Sequence, residues 1–443
     1  MRSGTTWTVT TNGRRVTRHA DGILLIYHHA PPYAATVMEH VRAFREHSRF
    51  PVWEVNVDHG FPPALEGLSP TVVLLHYSLF GAKTYLLQPA FLEWLRNAET
   101  RYRIAFFQDE YQFCPQRFAF IDDYRIDCVY TLLAPEQFDA VYGRHTHGPR
   151  LVHTLTGYVG DDLVRVAAER SVPDQDRTID IGYRGRSLPY YMGLGSQEKQ
   201  EIGIQFLARG KDLGLRLDIA VDEDSRLYGE AWTRFLANAR AFVGVEAGVS
   251  IFDLTGEVYA GYERLVAENP AMTFVEMSSR LLAPFEGNIP YRTVSPRHFE
   301  AAAFRVVQIL FEGEYSGVLQ PMVHYLPLRK DFSNFDEVIA LFRDPAVRRA
   351  VTDRAHADLI ASGRYSYSSF VRSFDEDLAA AGFAPASDET RRREIAALLT
   401  RGTALRRLRA HGRPFYRRAV PHPLRVRLRG MIDAARARLR RRS

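Results

Sequence analysis

SPRHFEAAAFRVVQIL (295–310) runs directly into FEGEYSGVLQPMVHYLPLRKDFSN (311–334). Ser295 is a good helix N-cap, and Pro296 suits the first helical position. The helix carries Arg297 and Glu300 on its opening turns, then a face of Ala301, Ala302 and Ala303. An apolar strand follows over 306–310 and ends in a polar, glycine-bearing loop, 312–317. Helix, strand and a loop of free backbone N–H groups make half of a mononucleotide site. Glu300 is placed to accept ribose hydroxyls. The N–H groups of Tyr315, Ser316 and Gly317 are expected to face a diphosphate.

Working outward, the same alternation of strand and helix recurs on both sides. ILLIY (23–27) is a continuous apolar run, as in a parallel strand covered on both faces. Further strands are predicted at 52–57, 72–77, 104–108 and 128–133, with helices over 34–47 and 89–97. The text turns polar over 160–178, where a domain junction is expected. A second alternation starts at IDIGY (179–183) and continues through a helix at 197–209 and strands at 215–221 and 241–245. Residues 255–285 read as a helical insertion. The fold class is therefore α/β, with two Rossmann-like, doubly wound domains. The predicted bounds are a lead over 1–20, a first domain over 21–168, a second over 176–345, terminal helices over 346–385 and a basic tail over 386–443.

The length of 443 residues suits two domains plus appendages. Two cysteines, Cys114 and Cys128, make no disulfide framework and suit a reducing cytosol. The opening MRSGTTWTVTTNGRR lacks the apolar core of a secretory signal. No uncharged apolar run reaches the ~18 residues of a spanning helix. Charge is distributed unevenly. Residues 391–443 hold eighteen Arg and two acids, while the other residues carry 40 bases and 50 acids. The net +6 thus combines a body of −10 with a tail of +16.

The pieces IDIGYRGRSLPYYMG (179–193), GVEAGVSIFD (244–253), SPRHFEAAA (295–303), EYSGVLQPMVHYLPLRKDFSN (314–334) and YSYSSF (365–370) resemble a known family. It is that of GT-B bacterial glycosyltransferases, in the "glycosyltransferase family 1 protein" branch related to CgeB-type spore-coat glycosyltransferases. The resemblance implies two facing domains with a cleft between them and a last helix crossing back to the first. It also implies transfer of a sugar from a nucleotide-sugar donor to a glycan or lipid-linked acceptor, in cell-surface glycan biosynthesis. No separate cofactor and no metal are implied. In this family a glutamate at the position of Glu300 holds the ribose. Many retaining members carry a second glutamate where this chain has Arg292, and a glycine where it has Phe304-Arg305. A nucleotide-sugar epimerase of the same fold and a non-catalytic nucleotide-binding scaffold are the competing readings.

Other candidates follow from position at strand ends. Arg184 and Arg186 follow the strand at 179–183, with Lys199 on the next helix; fixed positive charge there would stabilise a departing diphosphate. Glu246 and Ser250 lie in another loop at a strand end, suited to donor hydroxyls and a phosphate. In the first domain His28, His29, Asp109 and Glu110 follow strands whose carboxyl ends should open on the cleft. One of them could act as general base toward the acceptor. No zinc or iron spacing is present, and Asp222-Glu223-Asp224 reads as a surface turn.

In LRVRLRGMIDAARARLRRR (424–442), Leu424, Leu428, Met431, Ile432, Ala435 and Leu439 fall near helical spacing among arginines. That pattern is expected on an anionic membrane surface. A cytoplasmic protein, peripheral on the inner face of the plasma membrane, follows. A solvated basic extension that binds neither is the competing reading, and nucleic acid is the less favoured partner.

Overall fold

The computed structural model describes residues 18–29, 35–81, 83–386 and 388–407. Six parallel strands form the first sheet: β1 (Arg18–Tyr27), β2 (Val52–Asn56), β3 (Leu68–Leu75), β4 (Tyr102–Phe106), β5 (Cys128–Thr131) and β6 (Arg150–His153), in the order β2-β1-β3-β4-β5-β6. Ile23 to Ile26 are at most 1% exposed, because helices cover both faces of β1. The second domain contributes β7 (Ile179–Arg184), β8 (Leu217–Ala220), β9 (Ala239–Gly244), an antiparallel pair of β10 (Ala247–Val249) and β11 (Tyr291–Thr293), then β12 (Val307–Phe311) and β13 (Leu326–Leu328). Its main sheet is parallel in the order β13-β12-β9-β7-β8. Two doubly wound domains thus face each other, as the resemblance implies.

The strands read from apolar runs stand within a few residues of their expected places. The short strand β6 and the helix Cys114–Asp123 were not anticipated. The polar stretch near 160–178 begins as a helix, Asp161–Arg170, whose Leu163, Val166 and Ala167 pack in the second domain's core, so the chain crosses between domains before this helix and not after it.

The domains share apolar core. Val249, Phe252, Ile289 and Tyr291 of the second domain join a buried cluster containing Phe107, Tyr111 and Ile121 of the first. The Asp253 N–H donates to the Tyr111 carbonyl at 2.7 Å. The chain then returns. Helix Pro345–His356 packs in the second domain's core, while helix Tyr367–Ala380 packs in the first. Phe374 sits edge-on to Phe44 at 5.0 Å, and Asp375 accepts from the Ser48 hydroxyl and the Arg49 N–H at 2.8 and 2.6 Å.

The start of the basic tail is not a free appendage. Helix Glu389–Thr400 lies against the first domain, with Ile395 and Leu399 buried in its core. The Trp53 indole N–H donates to the Arg392 carbonyl at 3.0 Å. Residues 408–443, where the amphipathic pattern lies, fall outside the described residues. Among the described residues, no helix is long and apolar enough to cross a membrane.

Candidate functional site

The carboxyl ends of both sheets meet at the cleft. On the second domain's side, β7 delivers Arg184 and Arg186, the helix Leu194–Gly210 delivers Glu198 and Lys199, and β9 leads to Glu246. Arg292 on β11 joins them, bonding Glu246 through Nε at 3.2 Å and Glu198 through its other arm. Lys330 reaches the second oxygen of Glu198 at 2.8 Å. Gly195 is required here, since a Cβ would collide with the Arg292 guanidinium. Arg292 is thus a cation that clamps two acids.

Lys199 donates to the Gly248 carbonyl at 3.0 Å. Burial, reinforced by Arg292, pulls its ammonium down to about 8, while Asp109 acts in the opposite direction. Arg186 is half exposed, with Glu223 at 3.6 Å. Asp109 stands across the cleft in a left-handed conformation, φ 52°. It is reachable by solvent yet surrounded by protein, and this dehydration raises its carboxyl against the pull of Lys199, Arg117 and Arg186. Asp109, Lys199 and Arg186 therefore sense one another's charge from opposite domains.

Glu300 accepts from the Trp232 indole N–H at 2.7 Å. Burial raises its carboxyl, opposed by that hydrogen bond and by Arg297, while Glu39 of the first domain raises it further. Arg297 lies 5.1 Å from the Trp232 ring and donates to the Arg184 carbonyl at 2.5 Å. Ser295 N–H donates to His298 Nδ1 at 3.1 Å, which fixes the start of this helix. Arg305 takes a left-handed φ of 51° just after the helix, the conformation a glycine would supply there.

Several expected roles are redirected by the tertiary packing. Glu246 is 4% exposed and accepts from the Glu314 and Tyr315 N–H groups at 3.0 and 2.8 Å. The Gly317 N–H is bound to the Glu314 carbonyl. Two of the three amides expected to face a diphosphate are thus committed inside the protein, and the Ser316 hydroxyl accepts from Val294 N–H. Ser250 accepts from Gly195 N–H at 2.8 Å and secures the helix start. Arg184 folds back onto Asp218 at 2.7 Å, with Phe235 under its guanidinium. Glu110 is fully buried and accepts from Thr131, the Leu132 N–H, Tyr142 and Tyr291, so it is a structural node and not a cleft base. A buried carboxylate needs such partners to remain folded in.

His28 and His29 are half-buried at the end of β1. Their N–H groups donate to Ser78 Oγ and Asn56 Oδ1 at 3.0 and 3.1 Å. Burial lowers the His28 imidazole. Beneath them runs a chain unseen in the sequence. His76 Nδ1 pairs with Ser78 Oγ at 2.9 Å, and His76 Nε2 with His40 Nδ1 at 3.0 Å. Burial among aromatic rings lowers both imidazoles, His40 to about 3. Trp232, Glu198 and Lys330 were also missed; a single glutamate or tryptophan on a helix carries no local mark of facing a cleft. Among the described residues, no group of three or more His, Cys, Asp or Glu side chains could hold a metal ion.

No family model matches this chain, and no curated protein matches it. Solved structures resemble it in overall architecture. An alpha-glucosyltransferase in complex with UDP and a 13-mer DNA gives a TM-score of 0.44 at 11% identity, over 82% of this chain and 100% of that one. Sucrose-phosphate synthase from Thermosynechococcus elongatus gives 0.43 at 13% identity, over 81% and 99%. An alpha,alpha-trehalose-phosphate synthase (UDP-forming) from Burkholderia vietnamiensis gives 0.39 at 13% identity, over 84% and 100%. At such identities and scores, the chemistry of this cleft rests on its own residues.

Proposed function

We propose that this chain is a glycosyltransferase that takes a sugar from a nucleotide-sugar held by the second domain and passes it to an acceptor held by the first. The observation that carries this reading is the meeting of the carboxyl ends of two parallel sheets, with Arg186 after β7 and Lys199 on the Gly248 carbonyl on one side, and Asp109 after β4, next to Glu110 whose N–H reaches the Tyr291 hydroxyl, on the other. Glu300 and Trp232 offer a carboxylate and an aromatic face to the nucleoside, while Lys199 and Arg186 meet the diphosphate. Arg184, Glu246, Ser250 and the 315–317 loop act one layer back, holding the strand ends and the helix start in place.

In the reaction, the bond from the anomeric carbon to the diphosphate oxygen breaks and its electron pair leaves with the diphosphate. The two cations stabilise that charge as it develops. The acceptor oxygen bonds the anomeric carbon, and its proton passes to Asp109, whose raised carboxyl is a better base than an ordinary aspartate. A cell-surface glycan is the acceptor class this reading favours. The test is a donor-panel screen that measures binding by calorimetry and slow sugar release to water. Binding of at least one nucleotide-sugar, with loss in Lys199→Ala, is expected. Failure of every nucleotide and nucleotide-sugar to bind would leave a scaffold. Conversion of the free donor to an epimer would mark an epimerase.

A further inference from the structure

The helix that opens the basic tail runs along β2. It begins beside Trp53 at that strand's amino end, where the indole bonds the Arg392 carbonyl. Past Thr400 the chain turns through Gly402, and Arg406 reaches Gly60, with 3.7 Å between its Cβ and a Cβ built there. Gly60 lies just beyond the carboxyl end of β2, four residues after Asn56, which bonds the His29 N–H and carbonyl at 3.1 and 2.7 Å. Arg406 itself is tied down, donating to the Leu399 carbonyl at 2.9 Å and to Thr403 at 3.0 Å. Arg406 and its neighbour Arg407 therefore stand on the acceptor-side rim of the cleft.

The sequence from 391 onward is strongly basic. Residues 391–407 hold six Arg and one Glu, and residues 408–443 hold twelve Arg and one Asp. Arg401, Arg407 and Leu405 are exposed at the rim, Leu405 by 52%. A leucine open to water among arginines has an apolar part that a phosphate backbone would leave unmatched. The following chain repeats the pattern, with Leu424, Leu428, Met431, Ile432 and Leu439 among arginines. Apolar side chains gain from acyl chains while the guanidiniums meet anionic headgroups.

We propose that this rim docks on an anionic phospholipid surface, so that the acceptor side of the cleft opens toward the bilayer and the acceptor is lipid-anchored. The acceptor half of this inference rests on the transferase reading; the docking half does not. A tail attached at the far end of the molecule would tether the protein without orienting it. Attachment at Gly60 places the surface beside His28 and His29.

The test uses full-length protein with phosphatidylglycerol-containing and pure phosphatidylcholine vesicles. Binding to the former only, with release at high salt, is expected, since headgroup attraction decays within a Debye length of about 8–10 Å. Replacing Arg425, Arg427, Arg429, Arg436 and Arg438 by Gln should cut vesicle affinity by tenfold or more. Cys114 and Cys128 are buried, so a fluorophore can be directed to Leu405→Cys or to Arg349→Cys at the amino-end side of the second sheet. Lipid-borne quencher should darken the first and spare the second. Absence of vesicle binding, equal quenching at both sites, or tighter binding of a single-stranded oligonucleotide at the same salt would overturn the docking. A lipid-phosphate-linked sugar in vesicles should be glycosylated faster than its soluble counterpart, and equal rates would overturn the acceptor assignment. Donor calorimetry on the same samples separates the two readings: donor binding without vesicle binding sinks only this inference.

Discussion

Lys199 shows how a single side chain couples the site to pH. Its ammonium is held at about 8 by burial and by Arg292. The charged form is needed to meet a diphosphate, so affinity should be full below that value and decline as pH rises through it. Lys199→Met should weaken nucleotide-sugar binding at neutral pH and flatten the profile, which calorimetry from pH 6 to 9.5 would read. Glu300→Ala removes a charged hydrogen bond of about 1.5–3 kcal/mol, so donor affinity should fall tenfold or more in a protein that still folds. An unchanged affinity would refute the ribose assignment. His40 and His76 make the opposite kind of pH link. Both imidazoles are lowered in the folded state, so the unfolded chain binds more protons below about 6.5. Stability should be intact above that value and fall as pH drops toward 3. Urea midpoints at pH 5 and 7 should differ less in His40→Gln than in the native chain.

Elements are placed by what lies behind them. Glu246 bonds the two amides that begin the 314–317 loop, and Gly313 leaves room for its carboxylate, which a Cβ would approach to 2.5 Å. Gly313→Ala should therefore displace Glu246, lower stability by about 1–3 kcal/mol and weaken donor binding, as overpacking does. Denaturant melts and donor titration would detect both effects, and an unperturbed pair would show that the loop is not braced this way. The basic segment begins as part of the fold. A chain ending near 387 loses Ile395, Leu399 and the Trp53 partner, so it should melt lower than one ending at 407. Equal melting would mean that the docked helix adds nothing to the fold.

At the scale of the molecule, the two sheets are held by shared core as well as by the returning helices. Glu110 of the first domain accepts from Tyr291 of the second, inside an apolar cluster drawn from both. Glu110→Ala should strip partners from Tyr142, Tyr291 and Thr131 and lower stability by several kcal/mol, on the order of 2–4, because buried donors left unpaired are costly. It should also loosen the domain interface, read as faster limited proteolysis between β6 and the helix Asp161–Arg170, where the chain crosses from one domain to the other.

The alternation of apolar runs with amphipathic stretches was enough to specify two doubly wound domains. A parallel strand such as Ile23–Ile26 must be apolar on both faces, and that pattern is local. Ser295-Pro296 marked the site helix for the same reason, because caps act over three or four residues. The charge split was legible because it is a sum over sequence. Side-chain partners were not legible, since they depend on which distant strand ends converge. Glu246 and Ser250 face backbone amides, Arg184 faces Asp218, and Glu110 is buried under Tyr142 and Tyr291. Each was a fair cleft candidate by position, and each is held by residues 32 to 181 positions away. Composition marked the tail as basic, while only the packing of Trp53, Ile395 and Leu399 decided that it starts on the first domain and leaves at the rim of the cleft.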